Sequence, residues 1–319
     1  MDKQYVVGVD VGGQTSKIGV VDARGDVLVQ SVIRTDGHSD AADFVADLAA
    51  AIKELVVKAD KVGEIRGIGV GAPNGNYYTG EIAYAPNLEW AAGEAVPFAK
   101  MLSDALGGIP VSLTNDANAA AVGEMTYGAA KGMKDFIMIT LGTGVGSGIV
   151  INGQVVYGHD GFAGELGHTC AVRHNGRQCG CGKYGCLEAY CSAIGVARTA
   201  REWLDMSEEP SLLREVDKIT SKDVYEAAKE GDALALRVFE FTGKLLGTSL
   251  ADFIAFSAPE AVILFGGLAR SKEFIYEPTY KAMNENVLNL WKGKVDLLFS
   301  QLKESDAAIL GASALAWEL

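Results

Sequence analysis

Two stretches of this chain, half its length apart, carry the same pattern, and that repeat limits the fold more than any other feature. The first is "YVVGVDVGGQTSKIGVVDARGDVLV", from Tyr5; the second is "DFIMITLGTGVGSGIVINGQVVY", from Asp135. Each reads as an apolar strand and a Gly-rich turn, placed after Asp10 or Thr140. A second apolar strand comes next, then a tight turn (Ala23-Arg24-Gly25 or Asn152-Gly153) and a third strand. A β-meander repeated over that length points to duplicated domains.

The elements after each meander also match in kind. Residues 40–58 place Phe44, Val45, Leu48, Ile52, Leu55 and Val56 at helical spacing. The strand "IRGIGVGAP", a helix over 97–106, the strand "PVSLTN" and the small-residue helix "ANAAAVGEM" come next. In the second half a long helix over 232–257 leads into the strand "AVILFGG". A further helix, the strand "VDLLFS" and the terminal helix "AAILGASALAW" complete the copy. "MSEEPSLLREVDK", from Met206, reads as a surface loop. Meanders joined to alternating helices and strands give an α/β class.

Composition narrows the function. The net charge of −13, with no cluster of Lys or Arg to offset it, speaks against a nucleic-acid surface. It leaves room for an anionic substrate held by backbone N–H groups and a metal ion. The longest apolar run, "FIMITLGTGVGSGIVI", contains four glycines and is too short to span a bilayer. The first residues lack the apolar core of a signal peptide, because Asp10 interrupts them. A cytoplasmic enzyme is expected, in which five cysteines are free or metal-bound rather than paired.

Both Gly-rich turns, "DVGGQTSK" and "TLGTGVGSG", lie between two strands. Neither fits a P-loop or a dinucleotide fingerprint, since both of those require a helix directly after the turn. One such hairpin is ordinary; two matching ones suit the gripping of phosphate oxygens. Asp10 suits a metal-water or phosphate-metal contact, and Thr143 a hydroxyl contact to phosphate. Gly266 and Gly267, closing a buried strand, read either as room for a flat ligand such as adenine or as a plain strand-to-helix turn. Asn115 and Asp116 stand where a strand meets a helix. One reading is a helix cap; the other is a general base that takes a proton from an attacking alcohol.

"CGCGKYGCLE" places Cys179, Cys181 and Cys186 within eight residues. The pattern suits structural zinc, which needs a fourth ligand. His168 is the candidate, with His174, Cys170 and Cys191 as competitors. A clamp there would also fix Glu165 and Glu188, two carboxylates suited to several sugar hydroxyls. Taken alone, Glu188 is equally a helix N-terminal charge and Glu165 a solvated loop residue.

Taken together, these residues resemble the ROK family (repressors, open reading frames, kinases) of sugar kinases over essentially the whole chain. The resemblance rests on "DVGGQTSKIGVV", "APNLEW", "LTNDANAAAVGE", "TLGTGVGSGIVINGQVVYG", "GFAGELGH" and "CGCGKYGCLEAYCS". It implies the actin-like, hexokinase-type (RNase H-like) fold, with two duplicated domains and a cleft between them. The expected small domain is 1–117 with a C-terminal helix at 306–319; the expected large domain is 118–305. By the same resemblance Asp116 is the catalytic base, and Asn115, Asp116, Glu165, His168 and Glu188 hold the sugar. Zinc is bound by His168, Cys179, Cys181 and Cys186. ATP phosphates, with Mg²⁺, meet Gly12, Gly13, Gln14 and Thr15, and Gly142, Thr143, Gly144 and Gly146. Adenine lies near Gly266 and Gly267.

Two places depart from the family pattern. Gln14 stands where Thr usually comes after the paired glycines, and "GAPNGNYYTG" replaces a more usual Pro-Gly pattern. The expected reaction is ATP-dependent phosphorylation of a hexose 6-hydroxyl. Glucose is the expected sugar, with fructose, N-acetylglucosamine and N-acetylmannosamine as alternatives. A non-catalytic sugar sensor is the rival of another class. Family repressors carry an N-terminal helix-turn-helix, whereas here a meander begins at residue 4. Partners are expected to be a sugar and ATP, with no nucleic acid and no membrane, in a homo-oligomer (dimer or tetramer).

Overall fold

Residues 4–319 are described by a computed structural model. The first copy of the pattern runs β1 (Tyr5–Val11), β2 (Thr15–Asp22), β3 (Val27–Arg34), α1 (Ala41–Lys58) and β4 (Ile65–Gly71). It continues through the short β5 (Ile82–Ala83) and β6 (Ala95–Val96), then α2 (Phe98–Ala105), β7 (Val111–Thr114) and α3 (Asp116–Tyr127). The second copy opens with β8 (Phe136–Leu141), β9 (Val145–Ile151) and β10 (Gln154–Val155). Then come α4 (Glu188–Cys191), α5 (Ala193–Met206), α6 (Ser221–Lys229) and α7 (Ala233–Ser257). The chain ends with β11 (Ala261–Phe265), α8 (Lys272–Asn286), β12 (Asp296–Phe299) and α9 (Glu304–Leu315).

The repeat is real at the level of topology. One sheet has the strand order β3-β2-β1-β4-β7 and the other β10-β9-β8-β11-β12, which is the same order copy for copy. In each, the first two strands of the meander pair antiparallel and two further strands add parallel to the first. Parallel neighbours need crossover connections, which the helices supply. The meander turns form as their residues require. Asp22 accepts the N–H groups of Arg24 and Asp26, while Asn152 and Gly153 both take left-handed φ, as a two-residue hairpin demands.

The described residues divide into two compact units. One holds residues up to Met133 with 154–163 and 301–319; the other holds 134–153 and 164–300. In the first unit, alternate residues Val7, Val9 and Val11 of β1 join a core with Phe44, Leu48 and Ile52 of α1. The opposite face of this sheet is built for close approach. A Cβ on Gly8 would lie 2.1 Å from the Ile309 carbonyl oxygen, and one on Gly69 would lie 1.8 Å from that of Ala312. Helix α9 therefore rests its backbone almost on the strands. Its Gly311 meets α3 at Ala119 and Gly123, so the alanines and glycines of both helices serve packing. Because α3 packs on α9, the first unit continues past residue 117 to Met133.

The second unit has its own core, in which Ile137, Ile139 and Leu141 of β8 meet Leu246, Leu250 and Ile254 of α7. Gly243 and Gly247, one turn apart, let α7 approach α8 at Pro278 and Thr279. Residues 206–218 are mostly irregular, as the sequence suggests, but a single 3₁₀ turn over Leu212–Glu215 buries Leu213. Helices α5 and α6 are elements that the sequence patterns did not disclose. Among the described residues, no helix is long and apolar enough to cross a membrane.

Candidate active site

In the first unit, β1, β4 and β7 run parallel, so their C-terminal ends share one edge of the sheet. Ligands of open α/β sheets bind at such edges. Asp10 stands at the end of β1, and Asn115 with Asp116 just beyond β7. The question of the helix cap is resolved by geometry. Asn115 is the N-cap of α3, its Oδ1 accepting the Ala117 N–H at 2.9 Å, and Asp116 begins the helix proper. Asp116 keeps solvent access. Even so, the protein mass around its carboxyl pushes the pKa above the ordinary aspartate range, offset in part by the Ala117 N–H at 2.7 Å. The Asp10 carboxyl is pushed up to about 6, first by burial and then by the negative charge of Asp116. Lys17, directly opposite Asp10 in the β1–β2 pair, pulls it the other way.

The first Gly-rich turn closes with Gly12 N–H donating to the Thr15 carbonyl at 3.1 Å. A Cβ on Gly12 would meet that carbonyl, and one on Gly13 would meet the Asn87 carbonyl of "APNLEW". Gln14 and Thr15 expose their side chains, while the Gln14 carbonyl accepts the N–H of Thr35 at 2.9 Å. Gln14 therefore leaves the path of the backbone intact. The divergent segment 71–80 lies against the same edge, since a Cβ on Gly75 would stand 2.5 Å from the Thr114 carbonyl oxygen. Buried Asn76 holds that segment in place. It donates to the Asp160 carbonyl at 2.6 Å and accepts the Tyr78 and Thr79 N–H groups, while Tyr77 stacks on Tyr157.

In the second unit, the ligand atoms of His168, Cys179, Cys181 and Cys186 all lie within 4.8 Å of one another. Two sulfurs on a tetrahedral zinc ion stand about 3.8 Å apart, from bonds of about 2.3 Å. The Sγ atoms of Cys181 and Cys186 are 3.7 Å apart, and Cys179 Sγ is 3.8 Å from His168 Nδ1. This donor set fits zinc. The competing ligands lie elsewhere. Cys170 is exposed and faces the Val172 carbonyl; Cys191 is buried against the Thr242 carbonyl, and burial pushes its thiol up. His174 is not in the cluster.

The turn is braced from outside as well. Arg177 donates to Glu202 and Thr199 and lies over the Tyr190 ring, and Lys183 Nζ donates to the His168 carbonyl at 2.9 Å. Glu165 is exposed and precedes the 3₁₀ turn that carries His168. Glu188 opens α4, half-buried, with Oε2 accepting the Val145 N–H at 2.9 Å and Oε1 3.5 Å from Cys179 Sγ. In the second Gly-rich turn, Gly146 N–H reaches Thr140 Oγ1, and Thr143 is exposed. Gly266, at φ +100°, packs on the Leu141 backbone beside that turn, and Gly267 faces open space.

Sequence reasoning missed the Lys17, Arg177, Lys183 and Asn76 contacts and the link from Glu188 to Val145. Only Lys17 had a readable signal, because antiparallel pairing in the meander sets it opposite Asp10.

The ROK family model matches residues 6–318. A glucokinase of Halalkalibacterium halodurans is 38% identical over 283 residues, covering 87% of this chain and 84% of that protein. A glucokinase of Thermotoga maritima is 32% identical over 323 residues, covering 100% and 99%. Among solved structures, a ROK family glucokinase from Streptomyces griseus, in complex with glucose and AMPPNP, matches with a TM-score of 0.80. It is 33% identical and covers 99% of this chain and 100% of that one. The duplicated sheets are thus those of the actin-like, hexokinase-type fold. The match begins in the first strand and runs past the last α-helix, and the chain belongs to the ROK family.

Proposed function

We propose that this chain is an ATP-dependent kinase that phosphorylates the 6-hydroxyl of glucose. The observation that carries the reading is the pair Asp10 and Asp116 on one strand-end edge, in a chain similar along its length to glucokinases. Asn115 caps α3 and Asp116 Oδ1 shares the Ala117 N–H, so Asp116 Oδ2 is the oxygen offered for chemistry. It accepts the proton of the sugar 6-hydroxyl as that oxygen attacks the γ-phosphorus in line. A pKa above the usual range makes Asp116 a stronger base than a free aspartate, provided the pH lies above it. Asp10 would ligate the Mg²⁺ that accompanies ATP or accept hydrogen bonds from its waters, and that ion would supply charge neutralisation at the phosphates.

Glu165, Glu188 and the His168 nitrogen not turned toward the thiols accept or donate to sugar hydroxyls, with Asn115 offering its amide N–H groups. The turns at Gly12–Thr15 and Gly142–Gly146 present N–H groups to phosphate oxygens, and Gly266 and Gly267 leave space for adenine. His168, Cys179, Cys181 and Cys186 hold zinc, filling its coordination and bracing the turn rather than activating water. A homo-oligomer goes with this reading, and light scattering on the purified protein checks it.

The decisive experiment is a panel of glucose, fructose, N-acetylglucosamine and N-acetylmannosamine with ATP and Mg²⁺ in a coupled assay. Glucose is expected to give the highest kcat/KM. Saturable glucose binding without turnover of any sugar would replace the kinase reading with that of a sensor. Preference for another hexose would point to the 71–80 segment, where this chain departs from its family and where Asn76 sets the loop path.

A further inference from the structure

The 142–146 turn and the thiol turn are far apart in sequence, yet the second unit binds them into one piece. Glu188 Oε2 accepts the Val145 N–H at 2.9 Å. Gly144 makes this possible, because a Cβ there would stand 2.4 Å from the same oxygen. The Ala193 N–H donates to the Gly142 carbonyl at 2.9 Å, so the first residues of α4 and α5 both hold the turn. On the other side, Gly167 packs on the Val145 carbonyl, which a Cβ would approach to 2.0 Å. Ser147 Oγ accepts the Leu166 N–H at 3.1 Å and donates to the Gly164 carbonyl. Segments immediately before and after the thiol turn therefore grip the hairpin through its backbone.

A carboxylate spent on a backbone N–H has a different task from one that binds a sugar. We infer that Glu188 is also a positioning residue for the nucleotide: it fixes the 142–146 turn through the Val145 N–H, so that one side chain serves the sugar with one oxygen and the phosphate loop with the other. This rests on the reading of 142–146 as a phosphate loop. Removing the acceptor leaves a sheltered N–H without a partner, and the turn gains alternatives to its binding conformation. Linkage makes the effect mutual: the factor by which bound sugar changes nucleotide affinity is the factor by which bound nucleotide changes sugar affinity.

The test is binding of AMPPNP with Mg²⁺ to the zinc-loaded full chain, without sugar, by calorimetry. Glu188→Gln keeps an acceptor oxygen and is expected to hold nucleotide affinity within about twofold, whereas Glu188→Ala weakens it on the order of tenfold. Gly144→Ala keeps the Glu188 carboxylate but pushes it off Val145, and it is expected to weaken nucleotide binding as Glu188→Ala does. Its backbone φ is one that alanine adopts, so the fold survives the change. The kinetic signature is a split. Glu188→Gln raises the KM for glucose alone, while Gly144→Ala raises the KM for ATP first. Unchanged AMPPNP affinity in both Glu188→Ala and Gly144→Ala, with zinc retained, overturns the inference and leaves the kinase reading standing. A parent chain that binds no AMPPNP overturns both.

Discussion

At the scale of the residue, most of the expected chemistry rests on two carboxylates held in an environment that favours their protonated forms. Asp116→Asn keeps the shape of the side chain and removes the base. Turnover is expected to fall by about 10²–10⁴, with glucose affinity kept within a few-fold, read by a coupled assay and by calorimetry. Asp10 gives a prediction whose sign comes from linkage. Its folded pKa, about 6, lies above the ordinary value of 3.8, so the folded chain binds the proton more tightly. The stability it contributes is full below pH 3.8 and is lost as pH rises through about 6. Asp10→Asn should therefore raise the melting temperature more at pH 7.5 than at pH 5, while lowering kcat/KM. Scanning calorimetry at both pH values checks the first part. These pKa values were not readable from the sequence, because they depend on strand ends that meet only once β4 lies between β1 and β7.

Elements were legible where their signal is local. The meanders, α1, α7 and the parallel strands announce themselves by apolar runs, spacing and turn residues. Helix α5 carried a fainter signal, a Ser192 cap and Val196, Ala200 and Leu204 at intervals of four, in which alanine and glycine dilute the apolar stripe. The thiol turn was legible as a metal motif because its ligands are close in sequence, but its anchors were not, since Arg177 and Glu202 lie 25 residues apart. The turn also makes a prediction. One equivalent of zinc is the expected result of atomic emission on the parent chain; Cys181→Ala should lose it, whereas Cys170→Ala and Cys191→Ala should retain it. Packing of α9 makes another. Gly69→Ala sets a methyl group against a backbone oxygen at 1.8 Å. A cost of about 1–3 kcal/mol is expected, read as a lower urea midpoint.

At the scale of the whole molecule, the repeat in the sequence was enough to anticipate two sheets of one design, because each copy carries its own apolar periods and turns. The interruption of each unit by segments of the other was harder to see, since nothing local marks residues 154–163 as part of the first. Each unit has its own core and its own tryptophans, Trp90 and Trp317 in the first and Trp203 and Trp291 in the second. The proposed zinc ligands all belong to the second, so stripping the metal should act there. With Trp203 and Trp291 replaced by Phe, chelation should shift the urea midpoint seen by fluorescence less than with Trp90 and Trp317 replaced.

The glycine face of the first sheet has a consequence for synthesis. Helix α9 is the cover for Gly8, Gly19 and Gly69, and it is made after every strand of both sheets. On the ribosome, the first strands to emerge keep one side bare until α9 leaves the exit tunnel. These early strands are thus finished by a helix made long after them. A chain released before α9 is made would leave the tunnel with its oldest strands still exposed to chaperones.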